Sequence, residues 1–490
     1  MKIPTLGTII IVSFFFAGCS ATKVHQGQIL PSTNIISRST LHSCLDDIVN
    51  DTLFAQCSIG LKIVSLENDS VLYDHNSTTL FHPASNMKLF TTATALHVLD
   101  KDFKFSTTFS VDTIVKKGIL KGNIYVKGRG DPLLETGSLD IANLLREQFG
   151  IRIIKGNIVG DVSYFDSTAW GSGWMWDDEP DPDEAFITPL TINSNAIQVH
   201  VVPGSSPGKP LEVNLTPATH FLHVKNFGRT SHDTSLPPLK VTRLRSENTV
   251  TITGKLSPSD MPRSFTFSVR NPAMYFLNLL KERLIANNIA VKGTTRIDTA
   301  KGAKTLVELS HPLDSVIMRI NKESDNLAAE NLLKSMASEK LHTTGSASDG
   351  LLIVKSYLSG IGIDTSRIIL ADGSGVSWYN AVSPADIVRL LEKEFANKET
   401  FQRFLASLPV AGVDGTLKNQ MIGTRAMGNV HAKTGTLTGV SSLSGYITTA
   451  DNKLLAFSIL ANHFPGRTSL LRDMQNKIME VLANDSLTAQ

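Results

Sequence analysis

The sequence predicts a mixed α/β (α+β) protein in which helices flank a sheet and a long, mostly β insertion interrupts the chain. Three observations point there. Alternating, β-branched runs stand near both ends of the folded body, at Ser58 to Tyr73 and again at Gly439 to Ile447 and Leu454 to Ala461. Apolar residues at helical spacing fill Ser85 to Leu99, Ser324 to Met336, Ser383 to Phe395 and Ser469 to Leu482. Between these sets, residues 101–305 break into short strand-like runs punctuated by Gly, Pro and Asp, as from Gly118 to Gly128.

Length and charge narrow the class further. With 490 residues, 41% hydrophobic and 19% charged, the chain is an ordinary globular protein too long for one core, so more than one domain is expected. Its 47 basic and 45 acidic residues balance to a formal +2, which leaves no basic field to hold nucleic acid.

Taken in order, the elements begin with a leader. Lys2 precedes an apolar run through Ile9 to Val12 and Phe14 to Phe16, which ends at Ala17-Gly18 before Cys19. Residues 1–18 read as a signal peptide too short to span a membrane comfortably, and no later run is long and apolar enough to do so. Phe16-Ala17-Gly18-Cys19 resembles a bacterial lipobox, with Phe16 where that motif prefers leucine, so Cys19 is the expected lipidation site; ordinary cleavage after Ala21 is the alternative. A cell-envelope protein on the periplasmic side, held by a lipid anchor, follows from that reading. Residues 19–40 are a polar tether. Cys44 and Cys57 remain, either paired in an oxidising compartment or as two thiols.

The hairpin of Ser58 to Tyr73 turns at Glu67-Asn68-Asp69, and the tail strands turn at Asp451-Asn452. Residues 41–100 and 306–490 are expected to form one domain around the insertion at 101–305, in which about 202–260 forms a possible subdomain.

Three short motifs carry chemistry. Ser85-Asn86-Met87-Lys88 puts a hydroxyl and an amine on one face of a helix start, where a lysine kept neutral by burial can take the serine proton. Ser20 to Lys23 and Ser206 to Lys209 match the same pattern, and a helix cap followed by a surface lysine is the bland alternative. Ser324-Asp325-Asn326 opens a second helix, where the hydroxyl can relay a proton to a leaving amine and the amide can hold a carbonyl. Lys433-Thr434-Gly435-Thr436 precedes the tail strands; its hydroxyls and amine suit a carboxylate, and Gly435 lets an acyl chain lie against the backbone. No Gly-x-Ser-x-Gly elbow, Walker A loop or His-Glu-x-x-His motif occurs, and the 13 histidines show no metal-ligand spacing, so neither metal nor cofactor is expected.

In this order the three motifs resemble the penicillin-binding protein and serine β-lactamase signature. Over two hundred residues separate Ser85 from Ser324, far more than a compact β-lactamase has there. The chain is therefore similar to the D-alanyl-D-alanine carboxypeptidase/endopeptidase family, peptidase family S13. Pro83-Ala84-Ser85, Gly128 to Pro132, Gly173 to Asp178, Ala329-Glu330, Asp372 to Gly375 and Ser383-Pro384 carry the resemblance further. Val376-Ser377-Trp378 departs from the family's usual residues.

The resemblance implies a transpeptidase-like fold, an antiparallel sheet flanked by helices, and a serine peptidase that trims peptidoglycan stems and cross-links and is inhibited by β-lactams. It implies Ser85 as nucleophile, Lys88 as general base and Ser324 with Lys433 as proton relay, with Asn326 orienting the substrate. The backbone N–H groups of Ser85 and Thr436 would hold the oxyanion, and Thr434 and Thr436, with Gly435 between them, the terminal carboxylate. Asp178, in the acidic run from Asp177 to Glu184, is the candidate for the amino end of the peptide side chain. A serine β-lactamase and a non-catalytic envelope-binding lipoprotein are the competing functions.

Overall fold

The computed structural model describes residues 38–139, 141–300 and 304–486. The leader, Cys19 and the tether up to residue 37 lie outside the described residues. Helix α1 (Arg38–Val49) starts inside the stretch expected to be tether, because Leu41, Leu45 and Val49 recur every four residues and are buried together. Among the described residues no helix is long and apolar enough to cross a membrane.

Strands β1 (Ser58–Ser65) and β2 (Val71–His75) form the expected antiparallel hairpin, and Asp69 takes a left-handed φ of 56° in its turn. Three strands from the far end of the chain, β3 (His431–Leu437), β4 (Val440–Thr448) and β5 (Leu454–Asn462), complete a five-stranded sheet in the order β3-β4-β5-β1-β2, antiparallel throughout.

Helices cover both faces of this sheet. On one face lie α2 (Met87–Val98), α3 (Asn326–Leu341) and α4 (Pro384–Ala396), whose Phe90, Leu332 and Leu391 share a core with Tyr446, Ala456 and Leu460 of the strands. On the other lie α1 and α5 (Thr468–Asn484), whose Leu45, Leu471 and Ile478 pack on Leu443, Phe457 and Ile459. Strands β4 and β5 are thus buried on both sides; β5 reads as a nearly unbroken apolar run, whereas β4 interleaves its apolar residues with small buried ones, Ser441, Ser442, Ser444 and Gly445. The two described cysteines are free thiols; Cys57 Sγ donates to the Asn462 carbonyl at 3.2 Å, and burial pushes its pKa to about 11.

The long middle stretch has its own sheets. Lys104–Val111 and Lys304–Pro312 pair antiparallel, from Lys104 opposite Pro312, so the chain enters and leaves the stretch side by side. With Ile124–Gly128, Ile158–Asp161 and Thr295–Ile297 they make a second five-stranded sheet, mixed rather than antiparallel. Helix Pro272–Ala286 contributes Tyr275, Phe276 and Leu280 to the apolar cluster beneath it. The stretch around 202–260 folds into small sheets, yet its Leu211, Val250 and Ile252 belong to that same cluster. All of the described chain packs as one unit.

Candidate active site

Each motif reaches the site because its local backbone is bent in a specific way. Ser85 sits in a 3-10 turn (Ala84–Asn86) just before α2, and Ala84 takes φ 46° there. The residue flanking α2, Asn86, makes no side-chain cap; its amide instead donates to the Lys433 carbonyl at 2.9 Å and ties the Ser85 turn to β3. Ser85 is therefore free of any capping duty. One turn on, Lys88 is fully buried, and its Nζ lies 3.0 Å from Ser85 Oγ, 2.5 Å from Asn326 Oδ1 and 2.6 Å from the Ser374 carbonyl.

The second motif is held by a division of labour at the start of α3. Asp325 is the N-cap, accepting the N–H of Ala328 at 2.9 Å, while Arg319 clasps its other oxygen. Ser324 precedes the cap in a left-handed conformation, φ 60°, which turns its hydroxyl to Lys433 Nζ at 2.9 Å. Asn326 is shared: Oδ1 accepts from Lys88 and Nδ2 donates to the Asp183 carbonyl at 2.9 Å.

The third motif lies on β3. Lys433 is as buried as Lys88 and also donates to the Thr434 carbonyl at 2.8 Å. Gly435 has no room for a side chain: a Cβ there would stand 2.1 Å from Ser442 Oγ and 2.8 Å from Ser85 N. Thr434 Oγ1 donates to Thr416 Oγ1 at 2.7 Å, and Thr436 Oγ1 accepts from Arg472 at 3.3 Å. Ser85, Ser324, Asn326, Thr434, Gly435 and Thr436 line one cleft of about 410 Å³, and the buried Lys88 and Lys433 reach Ser85 and Ser324 from beneath it. Of the two other Ser-x-x-Lys matches, Ser206 to Lys209 is an exposed loop and Ser20 to Lys23 lies outside the described residues.

Burial sets the electrostatics. Desolvation lowers the Lys88 pKa to about 8, offset in part by the nearby carboxylates of Asp372, Glu330, Asp325 and Asp183. Lys433 is driven well below the ordinary lysine range, first by burial and then by the charge of Lys88. Burial raises Glu330 to about 7; it accepts the N–H groups of Gly373 and Ser374 at 2.9 and 2.8 Å. That grip points the Ser374 carbonyl at Lys88. Asp372 accepts from Gly375 N, Ser377 N, Asn380 Nδ2 and the indole of Trp174, all within 3.0 Å. Gly375, at φ 89°, passes so close to the Ser85 turn that a Cβ would lie 1.9 Å from the Ala84 carbonyl oxygen.

The acidic run behaves differently from the expectation. Asp178 does not line the cleft; its carboxylate accepts the N–H of Met175 at 2.7 Å in its own turn. Asp183 and Glu184, five and six residues on, do line it. Burial and the neighbouring Asp181, Asp178 and Asp183 raise Glu184 to about 8, and burial raises Asp183 as well. Glu179 is buried in an ion pair with Arg243 at 2.8 Å. The six acids between 177 and 184 looked alike as sequence; only the Pro-initiated 3-10 turn Pro182–Glu184 distinguishes the two that reach the cleft. Arg472 and Gln475 of α5 also line it, and no motif had marked them.

Comparison with known proteins agrees with this geometry. A D-alanyl-D-alanine carboxypeptidase of Actinomadura sp. (strain R39) is 34% identical over 446 residues, covering 88% of this chain and 82% of that protein. The crystal structure of penicillin binding protein 4 from Haemophilus influenzae superposes with a TM-score of 0.80 at 26% identity, covering 90% of this chain and 99% of its own. The same protein complexed with a β-lactam gives 0.73 at 26% identity, over 89% and 98% of the two chains. These relatives do not favour the β-lactamase or non-catalytic alternatives. The model of the D-Ala-D-Ala carboxypeptidase 3 (S13) family matches residues 41–485, nearly the whole described chain, and the protein belongs to that family.

Proposed function

We propose that Ser85 carries a two-step acyl transfer on peptidoglycan peptides in this penicillin-binding serine D-Ala-D-Ala carboxypeptidase. The observation that carries the reading is the surroundings of Lys88. Asn326 Oδ1 and the Ser374 carbonyl can only accept, whereas Ser85 can donate. Lys88 Nζ donates to all three oxygens, Ser85 Oγ included; once it loses a proton, two N–H bonds remain for Asn326 and the Ser374 carbonyl and its lone pair turns to the Ser85 proton. As Ser85 Oγ bonds to the carbonyl carbon of the penultimate D-alanine, its proton passes to Lys88 Nζ. The oxygen gains negative charge between the N–H groups of Ser85 and Thr436. Ser324, bonded to Lys433, delivers a proton to the departing nitrogen as the peptide bond breaks, and the proton that Lys88 took from Ser85 makes good that loss, leaving Lys88 neutral again. Water then attacks the ester, returns the proton to Ser85 Oγ and frees the shortened peptide.

The division into a catalytic part, 41–100 and 306–490, and an insertion at 101–305 belongs to this proposal. Two features support it: the insertion's separate apolar cluster and its side-by-side entry and exit strands. Within the insertion's acidic run, Asp183 and Glu184 are better placed than Asp178 to meet a cationic group of the peptide. The leader and Cys19 support export and a lipid anchor, so Cys19→Ser is expected to shift the protein from the membrane fraction to the soluble fraction on cell fractionation. The experiment for the activity is digestion of purified peptidoglycan with mass spectrometry of the products. Loss of D-alanine from pentapeptide stems, or cleavage of cross-links, by wild type and by neither Ser85→Ala nor buffer is expected. Equal products from Ser85→Ala would sink the proposal.

A further inference from the structure

His82 stands three residues before Ser85, and the acyl-transfer chemistry does not use it. Its side chain is buried and both ring nitrogens are engaged: Nδ1 lies 3.0 Å from the backbone N of Ala84, and Nε2 lies 2.7 Å from the Ser377 carbonyl oxygen. An amide N–H only donates and a carbonyl only accepts, so these partners fix the tautomer, with the lone pair on Nδ1 and the proton on Nε2. The ring is held from behind. Asn462, at the end of β5, accepts the His82 N–H at 2.7 Å and donates to the His82 carbonyl at 3.1 Å, and the Trp378 ring packs on the imidazole with centroids 5.0 Å apart. Ser377 and Trp378 belong to the stretch in which the sequence departs from the family's usual residues, so the departure falls where this histidine is received.

Two parts of the site meet at this ring. On one side is the nucleophile turn, where Ala84 keeps φ at 46°, a left-handed conformation that a residue with a Cβ rarely adopts. His82 Nδ1 holds the Ala84 N–H in that orientation, and the direction of the Ala84 backbone aims the N–H and hydroxyl of Ser85. On the other side is the loop in which Asp372 accepts the Ser377 N–H at 2.7 Å and Ser374 presents its carbonyl to Lys88. One imidazole therefore ties the turn that carries the nucleophile to the loop that steadies its base.

We infer that neutral His82 is a positioning residue, which holds the Ser85 turn and the Lys88 loop in the arrangement that acylates, and that a proton on its Nδ1 releases the turn. The inference rests on Ser85 as the acylated residue and adds an acid-side control to that reaction. In the imidazolium both nitrogens donate, so Nδ1 would confront the Ala84 N–H with a second donor. Burial lowers the His82 pKa below the ordinary histidine value, although the Ser377 carbonyl and the Asp372 carboxylate both favour the charged ring. Asp372 is the charged group that acts on the ring; Asn462 and Trp378, packed on it from the other segments, are neutral. The ring is accordingly neutral at neutral pH, and its hold on the turn is lost as the pH falls through the lowered pKa.

The test is acylation of the full chain by benzylpenicillin, followed by stopped flow from about pH 4 to 9, with near-ultraviolet circular dichroism at each pH to mark where the fold persists. Protonation of Lys88 alone lowers the rate about tenfold per pH unit on the acid side of about 8. The wild type is expected to steepen to about a hundredfold per pH unit once His82 also takes up a proton. His82→Asn puts an amide oxygen, which stays unprotonated, within reach of the Ala84 N–H. Its rate at about pH 8 should stay within about tenfold of wild type, and its acid limb should remain at about tenfold per unit. His82→Gln can reach Ser377 but places no acceptor at the Nδ1 position; it should acylate at least tenfold more slowly than His82→Asn, with KM for a D-Ala-D-Ala peptide within about twofold of wild type. Neutron diffraction of wild-type crystals at neutral pH needs no substitution and is expected to show the ring proton on Nε2 alone.

A wild-type limb that does not steepen while the protein stays folded overturns the inference. So do a His82→Asn limb as steep as that of wild type, equal rates in the Asn and Gln variants, and a ring proton on Nδ1. A wild type that benzylpenicillin does not acylate, or a Ser85→Ala protein acylated as fast as wild type, overturns the acyl-transfer reading instead.

Discussion

Lys88 and Lys433 are two amines buried beneath one cleft, and their chemistry depends on which is neutral. Burial holds Lys88 near 8 and pushes Lys433 well below the ordinary lysine range, with the charge of Lys88 adding to the effect of burial on Lys433. A general base works only unprotonated. Acylation by a peptide or by penicillin is therefore expected to rise with pH through about 8, where Lys88 loses its proton, and to level above it. A stopped-flow acylation profile that is flat from pH 6 to 10 contradicts Lys88 as the base. Removing the amine in Lys88→Ala should slow acylation by about 10²–10⁴-fold, the usual worth of positioned proton transfer. The carboxyl groups raised alongside, Glu330 to about 7 and Glu184 to about 8, titrate in the same range. Glu330→Gln, which keeps the side-chain shape, separates their contribution: the limb assigned to Lys88 should persist in it.

At the scale of elements, two glycines let the nucleophile turn, β3 and the loop after residue 372 approach each other. Gly435→Ala would push a methyl against Ser442 Oγ and the Ser85 amide, the same space that the acyl chain and oxyanion need. It should reduce penicillin acylation by more than tenfold while the melting temperature falls only a few degrees. Gly375→Ala combines a positive φ with a Cβ 1.9 Å from the Ala84 carbonyl and should cost both folding stability and acylation.

These elements were legible in the sequence to different degrees. The hairpin, the four helices and the tail strands were visible because amphipathic and alternating patterns report burial directly, and they ended within a few residues of their expected bounds. The three motifs were legible because each keeps its residue types at fixed short spacing. Asp178, Asp183, Glu184, Arg472 and Gln475 were not separable by sequence, since which acid of a run or which polar residue of a helix faces a cleft depends on packing with distant segments. Ser324 shows the same limit: only the φ of 60° and the capping by Asp325 show that its hydroxyl is turned to Lys433.

Across the whole molecule, the site is assembled from segments far apart in the chain, and Trp174 and Asp183 of the middle stretch supply part of its frame. The Asp183 carbonyl holds Asn326, and the Trp174 indole donates to Asp372 in the loop that carries Ser374. Trp174→Phe keeps the ring bulk but leaves Asp372 one donor short, at a cost of about 1–3 kcal/mol. Acylation is expected to slow several-fold in it, with the Ser85 environment intact; an unchanged acylation rate would mean that the insertion does not support the catalytic loop. The central claim, that the converged hydroxyl of Ser85 is the acylated atom, is tested most directly by one measurement. The protein is incubated with benzylpenicillin, digested, and the modified peptide is located by tandem mass spectrometry. A penicilloyl adduct on Ser85, absent from Ser85→Ala, is the predicted result; an adduct on another residue, or one that persists in Ser85→Ala, contradicts it.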